Sequence, residues 1–200
     1  MLRHFGNDRK AVNSSRRSAE DADVALIGRV AAGDLQAFET LFRIYHQRLD
    51  RFLSLMTARR TLVEEVLNDT MLVVWRRSQT YNGQSKVSTW IFAIAYRTAL
   101  KALRDQDEPV ETDPADELSS EDPGPEQQLM AEQIRAQVFR GLEALSAEQR
   151  SVLVLTYFHD LPYQEIARIV DCPIDTVKTR VFHGRRRLRA LLQADPGAGP

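Results

Sequence analysis

The stretch Tyr163-Gln164-Glu165-Ile166-Ala167-Arg168-Ile169-Val170, then Asp171-Cys172-Pro173, then Asp175 to Leu192 decides the fold of this chain. In the first piece Ile166, Ala167 and Val170 recur at helical spacing. Pro173 has no amide hydrogen and disfavours helix in the residue before it, so Asp171-Cys172-Pro173 is a turn. From Asp175 to Leu192, Val177, Val181, Leu188 and Leu191 line one side of a long helix. Short helix, tight turn and long helix is a helix-turn-helix pattern. Between Lys178 and Arg189 stand six basic residues and His183, with no acid. Charges this dense on one helix repel each other unless a polyanion neutralises them. DNA is the expected ligand: phosphates supply affinity, and base edges reached from the helix's N-terminal half supply specificity. A solvated basic coiled-coil tail would not require the turn in front of it. Cys172 reads as a small turn residue rather than a redox sensor, with no second thiol in the chain to resolve it.

Upstream, Ser146 and Gln149 have capping-box spacing ahead of Val152, Leu153, Leu155 and Tyr157, and a helix from Glu126 to Leu145 precedes them. Further back, Leu35, Phe38, Leu41, Phe42, Tyr45, Leu49, Phe52, Leu53 and Met56 recur at three- and four-residue steps, a long amphipathic helix with Asp34 at its start. A shorter helix near Val24 to Ala32 comes before it. Thr61 with Glu64 predicts a capping box for a helix running to about Arg77. Tyr81-Asn82-Gly83-Gln84-Ser85 reads as a turn, and Ser88 starts a helix ending near Arg104. Trp75 and Trp90 are expected as core anchors. No run alternates with period two for long enough to argue a sheet. The expected fold is all-α: two helical domains joined by an acidic Pro-rich linker, the C-terminal one carrying the helix-turn-helix.

The 27 basic and 28 acidic residues nearly cancel over 200 positions, but they are partitioned along the chain. Asp105 to Ile134 holds eleven acids, no Lys or Arg, and four of the eight prolines. Such a segment reads as an extended linker. The rest of the chain is basic, so the organisation is two basic lobes and an acidic tether. The expected boundaries are a disordered basic tail over 1–21, the first lobe over 22–104, the linker over 105–125, the second lobe over 126–192 and a tail over 193–200. No run approaches the ~18 apolar residues of a membrane span. The polar start of the chain lacks a signal-peptide core, which points to the cytoplasm. One cysteine excludes an internal disulfide framework, and four scattered histidines give no metal-ligand spacing, so no metal or cofactor is expected.

With these elements in view, two blocks resemble a known family. Residues 145–155 (LSAEQRSVLVL), 163–167 (YQEIA), 172–180 (CPIDTVKTR) and 185–189 (RRRLR) resemble the fourth conserved region of bacterial sigma factors. Residues 64–76 (EEVLNDTMLVVWR) and 88–95 (STWIFAIA) resemble the second region. Two regions with a short linker is the pattern of the extracytoplasmic-function (ECF) subgroup, and the resemblance covers about 22–192. It implies a promoter-specificity subunit, without catalytic chemistry of its own, that helps open DNA. The implied partners are RNA polymerase core, promoter DNA and an anti-sigma factor. Glu65, Asn68, Asp69, Leu72 and Arg76 would dock on the clamp helices of the polymerase's largest subunit. Asn68 stands where the family usually has Gln. The second lobe would meet the flap of the second-largest subunit. Tyr81, Asn82, Gln84, Ser85 and Lys86 match the loop that captures a flipped base of the −10 element, and Arg97, Lys101 and Arg104 follow on the next helix. Tyr96-Arg97 stands where the family reads Arg-Asn. Thr176, Lys178, Thr179, Phe182 and His183 match groove-facing positions for the −35 element, and Arg180, Arg185 and Arg186 match phosphate clamps. The acidic linker matches the connector through the polymerase's active-site cleft. Read from the residues alone, a conventional helix-turn-helix regulator acting without polymerase is the competing expectation. Nuclease chemistry is disfavoured, since no carboxylate cluster has metal-site spacing and no Gly-rich loop could cradle a phosphate.

Overall fold

Gly33 adopts a φ of 86°, which glycine accepts without strain, and the chain turns there before Asp34 accepts a hydrogen bond from the Ala37 amide at 3.1 Å. That amide and the Arg29 guanidinium, 2.6 Å away, hold the Asp34 carboxyl below the usual carboxylate range. The break separates α1 (Phe5–Ala31) from α2 (Leu35–Ser54). This is a computed structural model, and it describes residues 5–105 and 136–194. The first lobe continues through α3 (Arg60–Arg77), a single 3-10 turn at Ser78–Thr80 and α4 (Val87–Asp105). The second contains α5, helical over 136–143, then α6 (Ala147–Tyr157), α7 (Tyr163–Ile169) and α8 (Ile174–Ala194). The described residues contain no strand, so the fold is all-α as expected. The expected linker beyond Asp105, the start of the helix expected from Glu126 and the last residues of the tail lie outside the described residues.

Two local expectations are corrected. Helix α1 begins at Phe5 rather than near Val24, so the segment expected as a disordered tail is helical from there. The stretch has no proline and carries Ala and Arg, both good helix formers, and its later turns are tied to the lobe: Asp23 accepts from the Tyr45 hydroxyl at 2.5 Å and Glu20 from the Val87 amide at 2.8 Å. At α3 the helix starts one residue before Thr61, with no side-chain cap. Thr57 accepts from the Arg59 amide instead, and Arg60 draws Glu64 outward into an ion pair at 3.3 Å while bonding Asp50 at 2.8 Å. Ser146 does cap α6 through the Gln149 amide at 3.3 Å, but the return bond from the Gln149 side chain is missing, and its Oε1 is buried without a partner.

Leu41, Tyr45, Leu49 and Phe52 of α2 and Ile91, Ala95 and Ala99 of α4 form the centre of the first lobe. Val152 and Leu155 of α6, Ile166 and Ile169 of α7, and Val177 and Val181 of α8 form that of the second. The two centres belong to one continuous apolar cluster, because α4 lies against α7. Gly184 lets α8 approach α6 closely: a Cβ there would lie 3.1 Å from Leu153 Cδ1. Arg150 spans the lobes. Its guanidinium donates to the carbonyls of Leu142 (2.8 Å), Glu143 (2.7 Å) and Leu145 (3.4 Å) at the end of α5, and to the Met56 carbonyl in the first lobe.

His159 also sits in this seam, its ring 5.1 Å from Phe92 and 6.1 Å from Phe52, with Nε2 buried and unpartnered. Burial, reinforced by Arg48 and Arg51 and opposed by Asp160, pushes the imidazole down to about 4. The unfolded chain therefore takes up the proton first as pH falls, and stability drains away from about 6.5 down to about 4, then levels off. Thermal unfolding across that window should show the native chain losing roughly 2 kcal/mol more than a His159→Leu variant, after allowance for solvent screening of a partly exposed ring. Parallel curves would mean that the ring protonates freely in the fold.

Candidate protein-docking and nucleic-acid surfaces

Helix α3 buries Val63, Val66, Leu67, Thr70, Met71 and Val74, which share one side. Thr70 satisfies its buried hydroxyl by donating to the Val66 carbonyl at 2.7 Å. The opposite side presents Glu65, Asn68, Asp69, Leu72 and Arg76, all exposed and spaced by three or four residues, so the five form one stripe. Leu72 in its middle is 43% exposed. Carboxylates, an amide and a guanidinium around an exposed leucine suit a partly polar protein interface. Trp75 is half-buried against Phe38, ring centroids 5.1 Å apart, and anchors the helix rather than the stripe.

The turn between α3 and α4 is braced from inside. The Tyr81 hydroxyl donates to the Ser85 carbonyl at 2.6 Å, and its ring meets Trp90 edge to face at 5.8 Å. Burial, with Glu20 and Asp23 close by, raises the Tyr81 hydroxyl above its ordinary value, so it remains a donor. Asn82 Oδ1 accepts from the Gln84 amide at 3.1 Å, and Gly83 takes a φ of 72°. Asn82, Gln84 and Lys86 are exposed, whereas Tyr81 and Ser85 are half-buried and shape the loop. On α4, Arg97, Lys101 and Arg104 are exposed along one stripe that runs away from the loop. Tyr96 does not join it. It is 5% exposed in the seam, with its hydroxyl beside Ser151 of α6.

Helix α8 buries Val177, Val181 and Gly184 and partly buries Leu188, leaving Lys178, Thr179, Phe182, His183, Arg185 and Arg186 exposed. Phe182 is 54% exposed and touches His183 edge to face at 5.3 Å. Lys178 pairs with Asp175 one turn earlier at 2.9 Å, and Thr179 donates to the Asp175 carbonyl at 2.8 Å. Two of the expected residues differ. Thr176 is half-buried, and Arg180 turns back so that Nη1 lies 3.7 Å from Cys172 Sγ, bracing the turn between α7 and α8. Asp171 in that turn has a φ of 50°.

Residues at the lobe seam escaped the sequence reading: Glu20, Arg150, His159 and Glu165 have no periodicity or motif that announces a partner in another lobe. Among the described residues no group of three His, Cys, Asp or Glu side chains could hold a metal ion, and no helix is long and apolar enough to cross a membrane.

Comparison with known proteins adds three findings. The model of sigma-70 region 2 matches residues 41–108 and that of sigma-70 region 4 matches 135–188, together more than half of the chain. The ECF RNA polymerase sigma-E factor of Escherichia coli strain K12 is 29% identical over 186 residues, covering 88% of this chain and 97% of its own. That of Haemophilus influenzae is 28% identical, covering 86% and 95%. Among solved structures, CnrH in complex with the cytosolic domain of CnrY has a TM-score of 0.67 at 23% identity, covering 87% of this chain and 99% of that one. The sigma factor RpoE of Bartonella quintana, in complex with the anti-sigma factor NepR, has a TM-score of 0.63 at 23% identity, covering 79% and 98%. These two likenesses concern the fold.

Proposed function

The chain belongs to the ECF group of sigma-70 RNA polymerase sigma factors, and from that premise we propose how its surfaces divide the work of promoter recognition and opening. The first lobe, over 22–104, carries core binding and the −10 element. The α3 stripe of Glu65, Asn68, Asp69, Leu72 and Arg76 docks on the clamp helices of the largest polymerase subunit. Asn82, Gln84 and Lys86 of the following loop meet an unpaired −10 base and its backbone, with Arg97, Lys101 and Arg104 on the strand beyond. Unpairing a base costs a few kcal/mol, and a pocket that stacks and hydrogen-bonds it offsets that cost. The second lobe, over 126–192, contacts the polymerase flap and lays α8 in the major groove of the −35 element. The acidic linker, 105–125, follows the path of nucleic acid through the polymerase.

One observation supports this division above the others: a polar stripe around an exposed leucine on α3 and a basic outward face on α8 lie on separate lobes of one chain. A sigma factor needs both, one for the polymerase and one for DNA. The chain itself does no catalysis and works in the cytoplasm, where the polymerase is. CnrH and the Bartonella factor were solved with CnrY and with an anti-sigma factor. By extension an anti-sigma protein controls this chain too. Run-off transcription with purified core tests the reading. Core plus this chain should give a discrete promoter-dependent transcript that core alone does not. A chain that binds duplex operators unaided and adds nothing to core would instead be a conventional regulator.

A further inference from the structure

The first turn of α4 gathers polar groups from three helices. The Lys86 ammonium, just ahead of the helix, is ion-paired with Glu165 of α7. Thr89, one turn in, donates its hydroxyl to the other oxygen of the same carboxylate at 3.4 Å and is only 3% exposed. The Glu165 side chain is 12% exposed between them. From the other side, Glu20 of α1 takes the Val87 amide at 2.8 Å. A cation, a buried hydroxyl and the positive pole of a long helix thus converge on an anion, the set of donors that nucleic-acid phosphates recruit. The anion now held there is supplied by the helix-turn-helix of the other lobe.

We propose that Lys86 and Thr89 form a subsite for one backbone phosphate of the single-stranded −10 element, and that Glu165 fills this subsite as an internal stand-in while the lobes are packed together. The proposal rests on the assignment of the Tyr81–Lys86 loop to the −10 element. Promoter DNA gains the subsite by displacing Glu165, which parts α7 from α4. Lys86 exchanges one charge-assisted partner for another, so its own ionic contact is nearly balanced, and the apolar surface that α4 and α7 bury together is what the remaining promoter contacts must offset. The outward face of α8 takes no part in this contact, so the masking falls on the −10 side.

The test is Glu165→Gln in the full chain, titrated with a labelled single-stranded −10 oligonucleotide over a salt series. Freeing Lys86 and Thr89 should tighten binding about 3- to 10-fold, the net scale of one ordinary hydrogen bond or of an ion pair to a half-exposed lysine. It should also steepen the log–log salt slope by about 0.7, the value for one further phosphate on a single strand. Adding Lys86→Ala should reverse both changes, and adding Thr89→Val should reverse the gain in affinity. An unchanged affinity and slope for Glu165→Gln overturns the proposal, and so does a gain that survives Lys86→Ala. The −10 assignment is read separately, from Asn82→Ala and Gln84→Ala holoenzymes on a library of −10 sequences. Unchanged preference there removes the assignment, whereas altered preference beside an inert Glu165→Gln removes the phosphate subsite alone.

Discussion

Reversing Glu65 and Asp69 together to Lys should abolish co-purification with core polymerase and leave the helical circular-dichroism signal unchanged. Both carboxylates lie on the exposed stripe of α3, one helical turn apart, while the helix is held by Val66, Leu67, Met71 and Val74 on its other side. The substitutions therefore touch no buried atom, and surface changes of this kind shift stability by about 0.5 kcal/mol or less. At the proposed interface the same changes would set like charges against a surface that receives two carboxylates. Such juxtaposition costs several kcal/mol, and each 1.4 kcal/mol is a factor of ten in affinity, so complex formation should fall by about a thousandfold or more. Pull-down with tagged core and the far-ultraviolet spectrum of the free variant measure the two arms. Normal holoenzyme from the double variant would remove α3 as the docking surface.

The second large effect concerns α8. Lys178→Ala should lower transcription in a manner that depends on the −35 sequence, and Arg186→Ala should weaken all promoters alike. Lys178 lies in the first turns of the helix, where side chains would enter the groove in the proposed docking. Its pairing with Asp175 is solvent-exposed on both sides and is easily surrendered to a base. One good base contact discriminates by about 1–3 kcal/mol. Arg186 is two turns further on, on the same exposed side, and a phosphate is its natural partner there. Its loss should reduce the salt slope by about 0.9 without changing preference. Holoenzyme binding over a −35 library at two salt concentrations separates the pair. The reverse pattern, with Arg186 setting preference and Lys178 only the salt slope, would place the helix differently in the groove.

Where the chain repeats itself with a helical period, its fold was legible. Helix α2 runs from the residue after Asp34, as its apolar spacing predicts, and the turn before Pro173 falls where proline chemistry requires. The start of α1 was not legible, because a charged polar segment has the composition of a tail whether or not it is helical. Thr61 misled for a different reason: capping-box spacing is only an opportunity, and Thr57 and Arg60 claimed the neighbouring groups first. The α3 stripe could be read in full, since exposure on one helix follows from periodicity. Arg180 could not, because its turn back onto Cys172 depends on how closely α7 and α8 approach. Least legible was the seam, where Lys86 meets Glu165 and Arg150 meets Met56 across long reaches of sequence that no local pattern encodes.

Arg150 bears on what it takes to open that seam. Three of its four carbonyl acceptors belong to its own lobe, and only Met56 lies across the divide. When the lobes part, the guanidinium keeps most of its acceptors and is never stranded as a naked charge, so the ionic cost of breathing falls on the Lys86–Glu165 pair instead. Opening would leave α7 and the first turn of α4 without the apolar cover they share, so local fraying there should require less than release of the first lobe's core. Amide hydrogens along α7 and the first turn of α4 should accordingly exchange with solvent deuterium well ahead of those at the middle of α2, whose release requires the whole first lobe to come apart.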